Sequence, residues 1–248
     1  MVSRISLFLW AFLCFCAGAA AQEAAEPVAV VELFTSEGCS SCPAADRLLK
    51  EMLSSRQPGQ KLYLLAFHID YWNPLGWEDR FSRPDYSDRQ KGYADRLRLD
   101  RLYTPQMIVN GTSQFVGSDA RKAYSSVREA LSRPARVFVS LENGGRDRKG
   151  NLLLSYDVRG VSSASVVTGV LLEKGLSSYV ARGENAGLTL RHENVVRSLS
   201  VLRVKKDGGG LLKIRVPEDS DEKNLSVVVY LQDEQTWEVL GAAGFDVI

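Results

Sequence analysis

The two cysteines spaced C-x-x-C, Cys39 and Cys42, constrain the fold more than any other feature of this sequence. The apolar run before them, 28–35, predicts a strand that is buried on both faces of a sheet. Pro43 suits the first turn of a helix, and apolar residues at helical spacing continue as far as Leu53. The sequence therefore predicts a dithiol or disulfide at the junction of a buried strand and an amphipathic helix.

The N-terminus has the pattern of a cleavable signal peptide over residues 1–21. A basic start precedes an uncharged apolar run over 5–15, and small residues follow, so we expect cleavage after Ala21. The run is too short to span a bilayer, and we expect no stable membrane insertion after cleavage. Removal of Cys14 and Cys16 would leave the C-x-x-C pair alone in a periplasmic or secreted protein, where disulfides persist.

The charge balance excludes some classes of partner. The chain has 31 Lys and Arg residues against 30 Asp and Glu residues, and loss of Arg4 with the signal peptide would bring the net charge to zero. Such a chain has no basic field that would attract nucleic acid or an anionic membrane surface. We expect no nucleic-acid partner, and the sequence indicates neither a cofactor nor a resident metal.

The chain divides near Pro134 into halves with different patterns, as its length of 248 residues leads us to expect. Residues 22–133 alternate strand and helix patterns, and Asn110-Gly111 is a strong hairpin signal before the last strand. A right-handed crossover makes the first two strands parallel, and the hairpin adds an antiparallel pair. This order predicts an α/β domain with a thioredoxin-like fold, in which the C-x-x-C occupies the redox position.

Residues 134–248 contain short extended runs between glycine-rich turns. This pattern predicts a C-terminal antiparallel β-sandwich-like domain, and it contains no visible catalytic constellation. A polar cluster lies between two of its strands. Its members are Arg182, Glu184, Asn185, Arg191, His192, Glu193 and Arg197. We expect this cluster either to dock beside the redox pair or to be a solvated loop with ordinary charge alternation.

The position of Cys39 favours a reactive thiol. Thiols attack disulfides as thiolates, and the unpaired N–H groups at a helix N-terminus favour the anion. Gly38 lets the backbone turn tightly just before Cys39, so we expect its sulfur to be exposed. Cys42 lies further into the helix, where it can resolve a mixed disulfide. We therefore predict that Cys39 is the nucleophile and Cys42 the resolving cysteine.

Three segments of the first half, 31–43, 68–72 and 103–106, resemble a bacterial secreted thioredoxin-like family that is catalogued as a domain of unknown function. Two downstream segments, 182–185 and 192–199, are similar to the same family, so the resemblance spans most of the chain. It implies a thioredoxin-like domain with a β-rich extension, and it implies no established substrate.

The dipeptide Thr104-Pro105 immediately precedes the third predicted strand. In thioredoxin-fold enzymes a cis proline at this location faces the redox pair, and the backbone of the preceding residue binds an extended peptide. An X-Pro bond is trans by default, so the resemblance alone implies that the bond is cis. It also implies that Pro105 belongs to the catalytic site and that Thr104 supports it.

Further candidates lie near the predicted redox end of the sheet. Glu32 interrupts an apolar strand, and it is either a proton acceptor for the resolving thiol or an end-of-sheet carboxylate. His68 is either a hydrogen-bonded structural histidine or a ligand. Asp70 and Trp72 belong to an aromatic insertion that forms a peptide platform or buries a long crossover. The residues alone leave each pair of readings open.

Three functions fit these residues. The first is an exported thiol–disulfide oxidoreductase that acts on protein thiols, on small disulfides or on a redox partner protein, with its redox direction undefined. The second is a copper-binding or metal-delivery protein that uses Cys39, Cys42 and His68, since thiolate and imidazole suit that metal. The third is a non-catalytic adaptor in which Cys39 and Cys42 form a structural disulfide.

Overall fold

The structure is a computed structural model that describes residues 25–247. The expected signal peptide with its cleavage point after Ala21, Cys14 and Cys16 therefore lie outside the described residues. Across 25–247, no helix has the length and apolar character needed to cross a membrane.

The first half alternates strands and helices in the order that its hydrophobic pattern predicts. In chain order the elements are β1 (Ala29–Thr35), α1 (Cys42–Ser54), β2 (Leu62–His68), α2 (Pro84–Leu97), β3 (Gln106–Val109), β4 (Ser113–Val116) and α3 (Ala120–Ala130). The predicted hairpin turn between β3 and β4 is present. Asn110 and Gly111 both have positive φ, 46° and 73°, as a tight two-residue hairpin turn requires.

The second half consists mainly of strands. They are β5 (Phe138–Arg146), β6 (Leu152–Arg159), β7 (Ser165–Glu173), β8 (Leu176–Tyr179), β9 (Thr189–His192), β10 (Val195–Val204), β11 (Gly208–Ile214), β12 (Leu225–Asp233) and β13 (Val239–Asp246). The predicted extended runs correspond to most of these strands. The short hairpin of β8 and β9 was not predicted, because each strand has only four residues.

One eight-stranded sheet dominates this mixed α/β structure, in the order β13-β12-β7-β10-β2-β1-β3-β4. β1 and β2 are parallel, and β3 is antiparallel to β1. β10 joins the free edge of β2, where Ala66 N donates to Asn194 O at 3.0 Å. The expected boundary near Pro134 lies between α3 and β5, and the sheet continues through strands from both halves.

Side chains alternate across this sheet, so that each face has its own core. On β1, Val31 and Leu33 pack with α1 and α3. Val30 and Phe34 point to the other face and pack with α2 and with β7, β10 and β12. Of the remaining strands, β8 and β9 form a two-stranded sheet, and β11, β6 and β5 form a three-stranded one. The three-stranded sheet packs on β7, β12 and β13 through a third apolar cluster. The two halves therefore share the large sheet and the apolar core on the face that packs with α2.

Candidate functional site

The predicted redox pair is a disulfide at the N-terminus of α1. Cys42 is the first residue of this helix, and its Cα lies 5.4 Å from that of Cys39. Only 1% of Cys39 and 0% of Cys42 are exposed. The expectation that the Cys39 sulfur is exposed is therefore wrong, and a loop from the second half, described below, binds the backbone of Cys39.

A hydroxyl of the dipeptide between the cysteines contacts the sulfur. Ser41 Oγ lies 3.3 Å from Cys39 Sγ, and Ser41 itself is exposed. A hydroxyl at this place can donate to the sulfur once Cys39 carries a negative charge, and hydrogen bonds to charged groups are stronger than neutral ones. The Ser-Ser dipeptide therefore provides a donor for a Cys39 thiolate.

The structure brings several of the other predicted residues to the redox end of the sheet. A Cβ added to Gly38 would lie 3.2 Å from Trp72 Cβ, so glycine permits this close approach. Trp72 Nε1 donates to Thr104 Oγ1 at 2.8 Å. The Thr104–Pro105 bond is cis, as the resemblance implies. Trp72 therefore connects Gly38, beside Cys39, to the Thr104-Pro105 dipeptide.

Pro105 lies next to the first turn of α1. A Cβ built on Gly117 would be 3.1 Å from Pro105 Cβ and 3.3 Å from Ala45 Cβ. Ala45 is one helical turn beyond Cys42. The proline and the redox helix therefore contact the same glycine.

Glu32 lies in a different environment from the one that a proton acceptor for Cys42 needs. It is 1% exposed, and it lies on the sheet face opposite α1, together with Val30 and Phe34. Its Oε1 accepts from Arg89 Nη2 at 2.9 Å and its Oε2 from Arg89 Nε at 2.5 Å. Tyr93 also donates to it. These contacts describe a buried ion pair between β1 and α2.

The remaining candidates, Asp70 and His68, have partners away from the sulfurs. Asp70 accepts a hydrogen bond from Ser87 Oγ, at the start of α2. His68 Nδ1 lies 2.7 Å from Asp79 Oδ2, and both side chains are fully buried. In the part of the chain that is described, no three or more His, Cys, Asp or Glu side chains are grouped as a metal ion requires. The structure therefore does not bring His68 together with Cys39 and Cys42 as a ligand set.

A buried acid–base cluster lies directly behind the redox pair, and sequence reasoning missed its acidic members. Glu37, two residues before Cys39, is 0% exposed, and its Oε1 lies 3.0 Å from His192 Nε2. Asp46, one turn after Cys42, has Oδ2 at 3.5 Å from His192 Nδ1, an ion-pair distance without hydrogen-bond geometry. His192 therefore joins the residues on both sides of the C-x-x-C.

Asp79 completes this cluster. Its Oδ2 accepts from Glu37 N at 2.9 Å as well as from His68 Nδ1. The rings of His68 and His192, the two histidines of the chain, are perpendicular with centroids 4.8 Å apart. Trp77 Nε1 donates to Glu37 Oε2 at 2.8 Å. Of these residues only His68 and His192 stood out in the sequence, because the acids become a cluster only when distant segments meet.

The members of this cluster shift one another's pKa values. Burial alone would lower the pKa of His192, but Asp46 and Glu37 raise that pKa to about 10. Burial alone would raise the pKa of Glu37, but the hydrogen bonds from His192 and Trp77 hold that pKa below its ordinary value. Burial alone would also raise the pKa of Asp79, but His68 and the N–H groups of Glu37 and Phe81 lower that pKa. The redox pair therefore adjoins buried charges of both signs.

The second half docks beside the cysteine pair, which is the first of the two expectations for the polar cluster. Asn185 Nδ2 donates to Glu37 O at 2.8 Å and to Cys39 O at 3.0 Å. Glu184 Oε2 accepts from Ser40 N at 2.9 Å. Glu193 pairs with Lys50 of α1 at 3.1 Å. This docking is confirmed for Glu184, Asn185, His192 and Glu193.

Comparisons with known proteins connect this chain to one family and to two similar solved structures. A family model described as "Protein of unknown function (DUF1223)" matches residues 30–232. No curated protein matches the sequence. A crystal structure of an Agrobacterium tumefaciens protein, a structural-genomics target, is similar with 27% identity and a TM-score of 0.67, over 91% of this chain and 96% of that chain.

HBP35 of Porphyromonas gingivalis is also similar in structure. It has 13% identity and a TM-score of 0.65, over 90% of this chain and 76% of that chain. At this identity the likeness shows the fold alone, and it extends through both halves of the chain.

Proposed function

We propose that this chain, which belongs to the DUF1223 family of proteins of unknown function, is an exported thiol–disulfide oxidoreductase that works through Cys39 and Cys42. The observation that carries the proposal is the disulfide at the start of α1, where unpaired helix N–H groups and Ser41 Oγ favour a thiolate at Cys39. A disulfide closing so short a loop constrains little of the unfolded chain, so a purely structural role gains little from it.

The fold supports the same proposal. The order β2-β1-β3-β4, with α1 and α3 on one face and α2 on the other, is the arrangement that we assign to a thioredoxin-like unit. Pro105 and the first turn of α1 meet at Gly117. Strands of the second half then extend this unit at the free edge of β2, and the three-stranded sheet packs on the extension as a β-sandwich-like layer.

The proposed reaction is a two-electron exchange between thiol and disulfide. In the reducing direction the Cys39 thiolate attacks a substrate disulfide, forms a mixed disulfide and releases one substrate thiolate. The Cys42 thiol then loses its proton and attacks Cys39 Sγ, which releases the second substrate thiolate and regenerates the protein disulfide. In the oxidising direction the same steps run in reverse. Exported protein thiols or disulfides, or a redox partner protein, are the proposed reactants.

The role of each cysteine is tested by trapping. Cys42→Ser leaves the nucleophile without its resolving partner, so it should accumulate mixed disulfides with a protein substrate such as insulin. Cys39→Ser lacks the nucleophile and should neither reduce insulin nor oxidise dithiols. Non-reducing gel electrophoresis with mass spectrometry measures the trapped species. Equal trapping by the two variants would contradict the assignment of roles.

A further inference from the structure

A loop from the other half of the chain binds the backbone of the segment that carries the disulfide. We name residues 180–188 the cover loop and residues 37–42 the redox loop. Asn185 Nδ2 bridges the carbonyls of Glu37 and Cys39, and Glu184 accepts from Ser40 N. Two adjacent side chains of the cover loop therefore bind three backbone groups of the redox loop, while Cys39 remains 1% exposed.

The cover loop is a compact unit with its own hydrogen bonds. Val180 N donates to Leu188 O at 2.9 Å, and Gly187 N donates to Val180 O at 2.8 Å. Gly183 has φ of 82°, and a Cβ there would lie 3.2 Å from Trp77 Cβ, so glycine is needed for this packing. Because its internal hydrogen bonds and its packing on Trp77 fix the loop, its side chains meet the redox loop in one defined arrangement.

Thiol–disulfide exchange requires that a thiolate reach Cys39 Sγ. An incoming thiolate RS⁻ attacks this sulfur, forms an RS–Cys39 bond and releases Cys42 as a thiolate. A second RS⁻ then attacks the RS sulfur, which yields RSSR and a Cys39 thiolate, so that two electrons enter the protein. In this arrangement the first attack is blocked, because Cys39 is buried. Exchange therefore requires that part of the structure around Cys39 move, and the cover loop is bound to the carbonyl of Cys39 itself.

We infer that the cover loop is a specificity element that excludes small thiols and admits a polypeptide thiol able to replace Glu184 and Asn185 on the redox loop. The inference rests on the proposed function. Displacement of the cover loop leaves the carbonyl of Glu37 and the N–H of Ser40 without these partners, and it leaves the carbonyl of Cys39 with only the bond from Cys42 N. Such losses are costly wherever the groups remain shielded from water. A polypeptide segment carries backbone donors and acceptors that can bind all three. A small thiol such as glutathione is too short to bind all three groups while its sulfur attacks Cys39 Sγ.

The test compares a small and a protein thiol as reductants of the oxidised full protein. The probes are glutathione and reduced thioredoxin, and the measurement is the second-order rate constant for loss of the Cys39–Cys42 disulfide. Glu184→Ala removes an exposed side chain, and Asn185→Ala removes both carbonyl contacts. We expect each variant to react about 10-fold faster with glutathione, since the net loss of such hydrogen bonds shifts an opening equilibrium by about that factor. The rate with thioredoxin should change much less, because its backbone binds the redox loop while the contacts of the cover loop break, so the free opening equilibrium does not limit that reaction.

Arg182→Ala is the matched control, because Arg182 is exposed in the same loop and has no hydrogen bond to the redox loop within the described chain. It should leave both rates unchanged. If Asn185→Ala fails to fold, Glu184→Ala alone decides the matter, since its side chain is on the surface. Unchanged glutathione rates in a folded variant would overturn the inference, and so would an equal acceleration with both probes.

The same samples separate failure of this inference from failure of the proposed function. Their equilibrium reduction potential is measured in parallel. A cover that only blocks access changes the rates of reduction and reoxidation together and leaves this potential unchanged. A potential in the range of structural disulfides, with no exchange by thioredoxin in any variant, would reject the oxidoreductase itself. A potential in the catalytic range with unchanged glutathione rates would reject only the cover loop.

Discussion

The hydroxyl of Ser41 is a direct neighbour of the Cys39 sulfur. Its Oγ lies 3.3 Å from Cys39 Sγ, so in the reduced protein it can donate a hydrogen bond to the thiolate. Ser41→Ala removes this donor, so the Cys39 thiolate should be less stable by about 1 kcal/mol and should form only at higher pH. The ultraviolet absorbance of the thiolate, followed against pH in the reduced protein, measures this change.

Ser41→Thr is the control for this prediction, because it keeps the hydroxyl. It should restore most of the wild-type titration. If the titrations of Ser41→Ala and the wild type coincide, the hydroxyl does not bind the thiolate and the helix N-terminus alone stabilises it.

Substitution of Glu32 decides whether its carboxylate has a structural role or acts as a proton acceptor for Cys42. Its removal would leave Arg89 as a buried cation without its carboxylate, and breaking a buried pair in this way costs about 3 kcal/mol or more. Glu32→Ala should therefore lower the free energy of unfolding by about 3 kcal/mol, as measured by urea denaturation, and leave the reduction potential unchanged.

The control for Glu32 is Asp88→Asn, which breaks an exposed pair with Lys91 on the same helix, α2. It should have no measurable effect on stability. A shifted reduction potential in Glu32→Ala, at wild-type stability, would instead favour the proton-acceptor role.

The sequence identifies some site residues and not others for a physical reason. Cys39, Cys42 and Pro105 are recognisable because a local pattern marks each of them. Glu37 is not recognisable, since its role depends on His192, which is 155 residues away. Nothing in the local sequence around Glu37 distinguishes it from a surface glutamate.

At the scale of elements, the β8–β9 hairpin links the titration of His192 to the stability of the protein. The pKa of His192 is raised to about 10 from an ordinary value of 6.5 by its two acidic neighbours, against burial. Such a group stabilises the folded state fully below pH 6.5, and this contribution is lost as pH rises through 10. The opposite holds for Glu37 and Asp79, whose lowered pKa values make stability decrease in acid.

His192→Gln should therefore remove part of the alkaline loss of stability. The measurement is the denaturation midpoint as a function of pH for the wild type and the variant. Buried tyrosines such as Tyr71, whose pKa burial raises to about 12, also destabilise the folded state in alkali, so the difference between the two proteins is the relevant quantity. A difference that stays constant up to pH values above 10 would contradict a charged His192.

The predictability of the elements follows from their length and periodicity. β1 lies within one residue of the predicted run 28–35, and β3 begins directly after Thr104-Pro105 as predicted, because their apolar residues form continuous buried segments. β8 and β9 were missed, since four residues with alternating burial give a weak signal. Local sequence patterns therefore do not predict the hairpin that carries His192 and the cover loop.

On the scale of the whole molecule, both halves contribute to one sheet and one core. Phe34 and Phe67 of the first half pack in the same cluster as Val170 and Tyr230 of the second. Residues 25–133 alone would expose this apolar surface and the edge of β2. We expect this fragment to lack cooperative urea unfolding, as measured by fluorescence.

The control for this fragment is the intact chain cut at an inserted protease site between the exposed residues Arg133 and Pro134. The two pieces should remain associated and unfold cooperatively, because the shared sheet still holds them. A fragment that unfolds cooperatively and turns over a protein substrate at the rate of the full chain would show that the second half is dispensable.

The sequence pattern does not predict how the two halves pack together. The pattern favours two units, because the periodicity changes at Pro134. The joining of β10 to β2 depends on which strand edges are free, and it is established by Ala66 and Asn194 across 128 residues. An edge contact of this kind leaves no periodic signal in either strand.

The reduction potential of the Cys39–Cys42 pair tests the central claim most directly. It is measured by equilibrating the protein in glutathione or dithiothreitol redox buffers and quantifying the free thiols. A thiol–disulfide oxidoreductase should have a potential between about −120 and −270 mV. A potential below about −300 mV would mark a structural disulfide, and it would contradict the proposed function.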